Sequence, residues 1–375
     1  MIDAITLLLL LIIALAASLI SIKVGISVAI IEIIVGIAVG NLIDIRPSEH
    51  EWLVFLAGLG SVVLTFLAGA EIDPDAMRKT WKTSLTIGVV SFLAPFLCAW
   101  LFAFLILGWA WNASLIAGIA LSTTSVAVVY IVLVEAGTSK TEVGKIILAS
   151  CFITDLGTAF ALSVLFTGAN LYLIALFVAM AVCVLVVPRM LAWLLPRIKG
   201  RSGEPDVKAI LVLVVLLGAI AEMSGVQPVL PAYVLGLIVA KVLVGNREVL
   251  LKVRTIALAF LTPFFFINAG LNVSMVAVVS GLVLIALFFA VKVGAKFVGV
   301  LPATVRLVGK DSIYITLLMS TGLTFGTISA QYGLSSGLID QSQFSVLLIT
   351  VILTAIIPTI IAQKWYNPKG LGEES

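Results

Sequence analysis

The chain has 375 residues, of which 62% are hydrophobic and only 11% are charged, and its formal net charge is +3. Ordinary soluble domains carry about 25% charged residues, so this composition excludes a typical soluble protein. The small net charge gives no basis for a nucleic-acid partner. Because α-helices satisfy their own backbone hydrogen bonds in lipid, we predict an all-α polytopic membrane protein whose solvent is the lipid bilayer.

Hydropathy along the chain predicts thirteen membrane-spanning helices. In chain order the predicted spans are 5–20, 24–39, 52–70, 85–107, 113–135, 143–166, 171–194, 209–222, 229–244, 256–268, 275–301, 313–331 and 344–361. Several of these are shorter than the roughly 20 residues that a straight crossing needs. The number of spans is tested independently by the positions of the basic residues.

The basic residues follow this count of spans closely. Of the 22 Lys and Arg residues, all but three lie in odd-numbered connections, at the helix ends beside them or in the tail 363–375. The exceptions are Arg46, in an even-numbered connection, and Lys292 and Lys296 inside span eleven. Since basic residues concentrate in cytoplasmic loops, we expect a multi-pass protein of the cell membrane with its N terminus outside and its C terminus in the cytoplasm.

A polar, turn-rich linker at 196–206 divides this single transmembrane domain into halves 1–195 and 207–362. If span seven is a connector, each half holds six spans, and the two halves have opposite orientations. Inverted repeats of this kind underlie many secondary transporters. Hydroxyl residues at 122–125 interrupt span five, and Thr321, Gly322 and Thr324 within 320–327 interrupt its counterpart, span twelve. We therefore predict two crossed discontinuous helices.

Asp155 lies in the middle of the apolar run 146–166. A carboxylate at such a depth is costly and marks a functional site by default. Its charge can be cancelled by a proton or by a metal cation, and competition between the two is sufficient for exchange. Hard cations prefer oxygen ligands, which an unwound helix supplies. The predicted ion and proton site consists of Asp155, as the sodium ligand, with Thr154, Thr123, Thr124 and Ser125.

Each of these assignments has a structural alternative. Thr154 could instead bond back to its own helical turn, and the hydroxyl cluster could instead form a helix interface. Lys292 and Lys296 lie one turn apart and are interpreted as supporting charges near the crossed breaks, although Lys296 could snorkel to water. Glu32, within span two, is either structural or part of the ion access route.

Several stretches, taken together, resemble one family. The chain is similar to the monovalent cation:proton antiporter superfamily, on the branch of the NapA sodium/proton antiporters and the Kef potassium-efflux proteins, and we expect no soluble regulatory domain. The stretches that carry this resemblance are 66–73, 121–128, 153–157, 230–236, 262–271 and 296–299.

The resemblance implies a transporter rather than an enzyme, with no cofactor. It further implies thirteen helices, a homodimer, and two crossed broken helices in a core that moves by an elevator mechanism. In this family Asp155 would be the carboxylate for the ion and the proton, Thr124 and its neighbours would line the first break, and Lys296 would be the lysine before the second break. Sodium/proton exchange is the favoured function, with Li+ or K+ as other possible cargo.

Two departures from the family pattern affect this expectation. Electrogenic members carry two adjacent aspartates, and here the first position is Thr154, so Lys296 lacks its usual acidic partner. Many relatives place a charged pair where this chain has Gly322-Leu323-Thr324. We therefore expect electroneutral exchange of one proton per cation. The alternatives are potassium/proton exchange, a Kef-like potassium efflux pathway and, more distantly, a sodium-coupled symporter of an organic anion.

Overall fold

The structure is a computed structural model. It describes residues 2–24, 28–42, 50–70, 74–138, 141–166, 171–198, 200–224 and 228–366. Arg46, the end of the first family-like stretch at Glu71 and Asp73, and residues 367–375 of the predicted tail lie outside these ranges.

The described residues are almost entirely helical. Two short π-helical segments, Phe102–Ile106 and Ala257–Leu261, directly follow the α-helices Pro74–Leu101 and Arg247–Ile256. The α-helices are α1 (Ile2–Val24), α2 (Val28–Leu42), α3 (Glu51–Ala70), α4 (Pro74–Leu101), α5 (Trp111–Ser122), α6 (Val126–Glu135), α7 (Glu142–Leu165), α8 (Leu171–Ile198), α9 (Pro205–Met223), α10 (Val229–Val244), α11 (Arg247–Ile256), α12 (Thr262–Leu271), α13 (Met275–Ser280), α14 (Leu282–Leu307), α15 (Ser312–Met319), α16 (Thr324–Ser335) and α17 (Gln341–Trp365).

These helices correspond one to one with the thirteen predicted spans when consecutive pieces are joined. Span five is α5 with α6, span ten is α11 with α12, span eleven is α13 with α14, and span twelve is α15 with α16. Within the described residues, nine helical stretches are long and apolar enough to cross a membrane, and shorter apolar helices accompany them. The predicted fold class, an all-α polytopic membrane protein with discontinuous helices, is confirmed.

Several boundaries differ from the prediction, and three of the differences concern the interrupted spans ten, eleven and twelve. Span ten begins at Arg247 rather than at 256, because charged residues on one side of α11 lower its hydropathy while Val249 and Val253 are buried on the other. Span eleven contains a turn at Gly281, which ends α13. The second interruption covers only 320–323, because α16 starts at Thr324 and the helix then continues through the remaining small residues of the predicted break.

The chain forms two compact units, and each unit draws on both halves of the sequence. The first unit comprises Met1–Leu19, Pro47–Asp75 and Ala159–Asn268; its apolar core is built by α3, α8, α9, α10 and α11. The second unit comprises Ile20–Arg46, Ala76–Thr158 and Ala269–Ser375; α4, α6, α7, α14, α15 and α17 contribute to its core. Both helix breaks and all the predicted site residues belong to the second unit.

Glycine pairs allow close helix crossings in both units. In the first unit α3 crosses α10, and a Cβ atom on Gly69 would lie 3.2 Å from the Gly236 Cα. In the second unit α2 crosses α12, and a Cβ atom on Gly270 would lie 2.9 Å from the Gly36 Cα. The first crossing, of α3 with α10, joins spans three and nine. The second crossing, of α12 with α2, joins spans ten and two. An inverted repeat makes span three equivalent to span ten and span two to span nine, so the same contact occurs twice.

We expect Gly69→Ala to destabilise the protein, because the added methyl group meets the backbone of α10 and forces the two helices apart. A decrease of about 1–3 kcal/mol in the free energy of unfolding is typical of such overpacking. Gly58→Ala on the same helix is the matched control, since a Cβ atom there meets nothing within 4 Å. Thermal denaturation of the purified protein in detergent measures both. Equal melting temperatures for the two variants would contradict the proposed crossing.

Candidate functional site

The two helix breaks are short, buried and rich in hydroxyl groups. Residues 123–125 separate α5 from α6, and Thr123 has an extended backbone (ψ 155°) that ends α5. Residues 320–323 separate α15 from α16. The side chains at 122–125 and at 320 and 321 are completely buried. Each break exposes helix-end carbonyl and amide groups that have lost their intrahelical partners, so each offers polar groups inside an apolar unit.

The two breaks contact each other directly. The Thr124 hydroxyl donates to the Met319 carbonyl over 3.2 Å, and the Ser125 amide donates to the Thr321 hydroxyl over 3.3 Å. The contact joins the equivalent breaks of the two halves, because Ser-Thr-Thr at 122–124 corresponds to Ser-Thr-Gly at 320–322. Thr124 in the first break is therefore the counterpart of Gly322 in the second.

Lys296, on α14, holds the first break. Its ammonium group donates to the Ser91 hydroxyl at 2.7 Å, the Ser122 carbonyl at 3.1 Å and the Thr124 hydroxyl at 3.2 Å. An ammonium group has three protons, so these three neutral acceptors use all of them. The side chain is completely buried. This arrangement contradicts the alternative in which Lys296 extends to water at the membrane surface.

Lys292, one turn earlier on α14, reaches the second break. It is also completely buried, and its ammonium group has no hydrogen-bond partner among the described residues. A Cβ atom on Gly322 would collide with the Lys292 Nζ and would lie 2.8 Å from the Thr123 hydroxyl oxygen. The two lysines therefore reach equivalent positions in the two breaks. Thr124 supplies an acceptor to Lys296, whereas its counterpart Gly322 has no side chain to offer Lys292.

Asp155 lies on α7 with only 2% of its surface exposed. Its Oδ1 atom is buried and has no hydrogen-bond partner within the described ranges. One turn earlier on the same helix, the Cys151 sulfur lies 3.8 Å from the Met319 sulfur, so α7 packs beside the end of α15. The carboxylate also interacts electrostatically with Lys296. The structure therefore brings the predicted acid, the lysine and both breaks into one unit.

Three other residues singled out from the sequence lie in helices of the same unit. The Thr154 hydroxyl can donate to the Ser150 carbonyl at 3.0 Å and the Gly88 carbonyl at 3.3 Å, which fixes α7 against α4. Thr324 is the first residue of α16, and Glu32 is buried in α2. The role of Thr154 as an ion ligand remains a prediction, and so do the two alternatives for Glu32, a structural role or a place on the ion access route.

Two contributors to the site were not predicted. Ser91 lies mid-helix in span four, the inverted counterpart of the lysine-bearing span eleven. A hydroxyl within the apolar span that corresponds to span eleven is a signal that could have drawn attention to it. The Met319 carbonyl carries no such signal, because a backbone acceptor is independent of residue type. Its availability follows only from where α15 ends.

The chemistry of the site suits a small monovalent cation or a proton. It combines one carboxylate with hydroxyl and carbonyl oxygens, the ligands that hard cations prefer. Among the described residues no group of three or more His, Cys, Asp or Glu side chains converges on a common point. A single carboxylate matches a single positive charge, whereas tightly held divalent ions usually require more carboxylates or strong neutral donors.

Comparisons with known proteins point to one family. Residues 7–365 match the sequence profile described as "Sodium/hydrogen exchanger, transmembrane". The chain is 28% identical to the probable Na(+)/H(+) antiporter 3 of Methanocaldococcus jannaschii, over 90% of this chain and 89% of that protein. It is also 28% identical to the Na(+)/H(+)-K(+) antiporter GerN of Bacillus cereus, over 93% and 92% respectively.

A solved structure shares the fold. The sodium proton antiporter MjNhaP1 from Methanocaldococcus jannaschii, determined at pH 8, superposes with a TM-score of 0.77 and covers 99% of both chains. The two sequences are only 16% identical, so the match extends to the arrangement of helices and no further.

We expect Thr124→Val to weaken the contact between the two breaks. The substitution removes the donor to the Met319 carbonyl and one acceptor of the buried Lys296 ammonium, and each unsatisfied group costs about 1–3 kcal/mol. Thr86→Val is the matched control, because Thr86 is exposed and bonds only within its own helix at Lys82. Thermal denaturation in detergent should show a lower melting temperature for the first variant alone; an equal loss in both would contradict the contact.

Proposed function

This chain belongs to the sodium/hydrogen exchanger family, and we propose from that premise that it is a secondary antiporter in which sodium ions and protons compete for Asp155. The observation that carries the proposal is the buried Asp155 carboxylate, with an oxygen that no described group satisfies, beside two crossed helix breaks. Proteins of this family are transporters rather than enzymes. Exchange needs only the two transported ions.

Charge neutralisation at Asp155 provides the coupling. An ionised carboxylate is costly to hold away from water. A proton or a sodium ion cancels this charge, and either one makes the loaded site cheap to move through the apolar part of the membrane. Because one carboxylate binds either a proton or a sodium ion but not both, binding of sodium displaces the proton. The empty, charged site crosses least readily. The protein therefore cannot carry one ion across and return empty, and transport of sodium stays coupled to transport of protons.

The breaks supply the remaining ligands for the cation. The hydroxyls of Thr123, Thr124 and Ser125 and the carbonyl ends of the two broken helices belong to the same unit as Asp155, and Thr154 precedes the acid. Lys296 acts as a supporting charge. Its three neutral acceptors hold it in the first break, where it interacts with Asp155 without forming part of a second acidic pair.

Exchange is proposed to be electroneutral. Thr154 is uncharged and its hydroxyl is bonded to backbone carbonyls, so the site holds a single acid. One acid carries one proton in one direction and one monovalent cation in the other. The charge carried in the two directions would differ only if a second group also gained and lost a proton during the cycle.

Alternating access is proposed to occur by an elevator movement of the second unit. Asp155, both lysines and both breaks all belong to that unit, so its displacement carries the whole site. We further propose a homodimer, as the family resemblance implies. A cell-membrane location with the N terminus outside and the C terminus in the cytoplasm is supported by the distribution of basic residues along the chain.

Potassium is the second candidate cargo. One of the relatives at 28% identity is named for both Na+ and K+, and hydroxyl and carbonyl oxygens bind either cation. Adding sodium, lithium or potassium separately to the same vesicles separates these cases. If potassium drives proton release and sodium does not, potassium rather than sodium is the main substrate.

We expect Asp155→Asn to abolish cation-dependent proton flux in proteoliposomes. The amide is permanently neutral, so neither ion has a charge to cancel. A pH-sensitive dye inside acid-loaded vesicles reports the flux on addition of sodium. The matched control is Asp311→Asn, since Asp311 lies just before α15 and outside the site. Flux that persists at the native rate in the first variant would remove the basis of the proposal.

We expect no net current from the native protein during exchange, and a current from Thr154→Asp. The added acid would carry a second charge next to Asp155, so the charges moved in the two directions would differ. Thr154→Asn is the matched control, because it has nearly the same shape as the aspartate variant and no charge. Currents on a solid-supported membrane measure the effect. A current from the native protein would contradict electroneutral exchange.

A further inference from the structure

Lys292 is a buried ammonium group for which the mechanism above has no specific task. Lys296 fills its three donors with acceptors, whereas the Lys292 Nζ has no hydrogen-bond partner among the described residues although it is completely buried. A buried charge without partners costs far more than a paired one. A lysine buried at such a cost indicates that its position serves a function.

The position of Lys292 suggests that requirement. Its head lies against Gly322, beside the Thr123 hydroxyl, at the point where the two breaks meet. The α15 helix ends just before this point, at Met319. The C-terminal end of a helix carries partial negative charge and attracts cations. The same features that attract a lysine head would attract a small free cation.

We propose that Lys292 is a tethered cation that competes with the transported ion for the oxygens at the crossing of the two breaks, and that it thereby sets how weakly that ion binds. This inference rests on the proposed function, because it presumes that the transported cation binds at the breaks beside Asp155. Lys292 is a positioning residue in this scheme: it carries no cargo and exchanges no proton.

The difference between the two lysines supports this assignment. Thr124 gives Lys296 a hydroxyl acceptor and anchors it, but the equivalent residue in the second break is Gly322. Because Gly322 has no side chain, it leaves room for the Lys292 ammonium group and offers it no side-chain hydrogen-bond acceptor. Its flexible four-carbon stem lets it withdraw when a cation enters. Two like charges in so small a space repel strongly, so the cation and the ammonium group exclude each other.

The test is the sodium dependence of proton flux in proteoliposomes of the full chain. For the neutral variants Lys292→Met and Lys292→Gln, we expect the apparent KM for sodium to fall about fivefold or more, since a competing positive charge is gone. Lys292→Arg keeps the charge and should stay within about twofold of the native KM. Lys310→Gln controls for general charge effects, because Lys310 is exposed and lies at the opposite end of α15 from the second break.

The outcomes separate this inference from the proposed function. Absence of sodium-dependent flux in the native protein would defeat the proposed function itself. Native flux together with an unchanged or raised KM in both neutral variants would overturn the role of Lys292. A fall in KM that Lys292→Arg shares would also overturn it, because the effect would then come from shape rather than charge.

A measurement on the native protein covers the case in which the neutral variants do not fold. Sodium titrated into protein labelled with nitrogen-15 at lysine should shift the Nζ signal that is missing from the Lys292→Arg spectrum, because the ammonium group leaves the break as the cation enters. A signal that stays constant at saturating sodium would refute the competition.

Discussion

Three ionisable side chains buried in one apolar unit set the main constraint on this protein. Asp155, Lys292 and Lys296 are almost completely removed from solvent, and an ionised group in such surroundings is stable only with partners or with an ion that cancels it. Lys296 has partners at the first break and at Ser91 on α4. The Asp155 carboxylate has an oxygen without one, and that deficit is what a transported ion can relieve.

The two helix breaks are stable because the surrounding protein supplies hydrogen-bond partners to their unwound backbone. A helix that unwinds in lipid would strand its backbone groups, so unwound segments survive only where protein surrounds them. Here each break lies against the other, with Thr124 and Thr321 bridging to backbone groups across the crossing. Glycine crossings at Gly36 with Gly270, and at Gly69 with Gly236, recur at equivalent spans of the two halves. The inverted repeat therefore explains both the breaks and the helix packing.

Much of this arrangement could be predicted from the sequence because strong physical penalties are visible there. An acid inside an apolar run, hydroxyls that interrupt a span and basic residues confined to alternate connections all leave marks in composition. Other features leave none. The Met319 carbonyl and the early start of α11 depend on where a helix ends or which of its faces is buried. The unequal bonding of Lys292 and Lys296 depends on Gly322, whose importance appears only once the two breaks are seen to meet.

The competition of two ions for one carboxylate is tested most directly by counting protons as sodium binds. Sodium titrated into purified native protein in a weakly buffered solution, near the pH at which the site is protonated, should release about one proton per sodium ion bound. The Asp155→Asn protein should neither bind sodium at that site nor release the proton. Sodium binding without proton release in the native protein, or equal release from both proteins, would contradict the account.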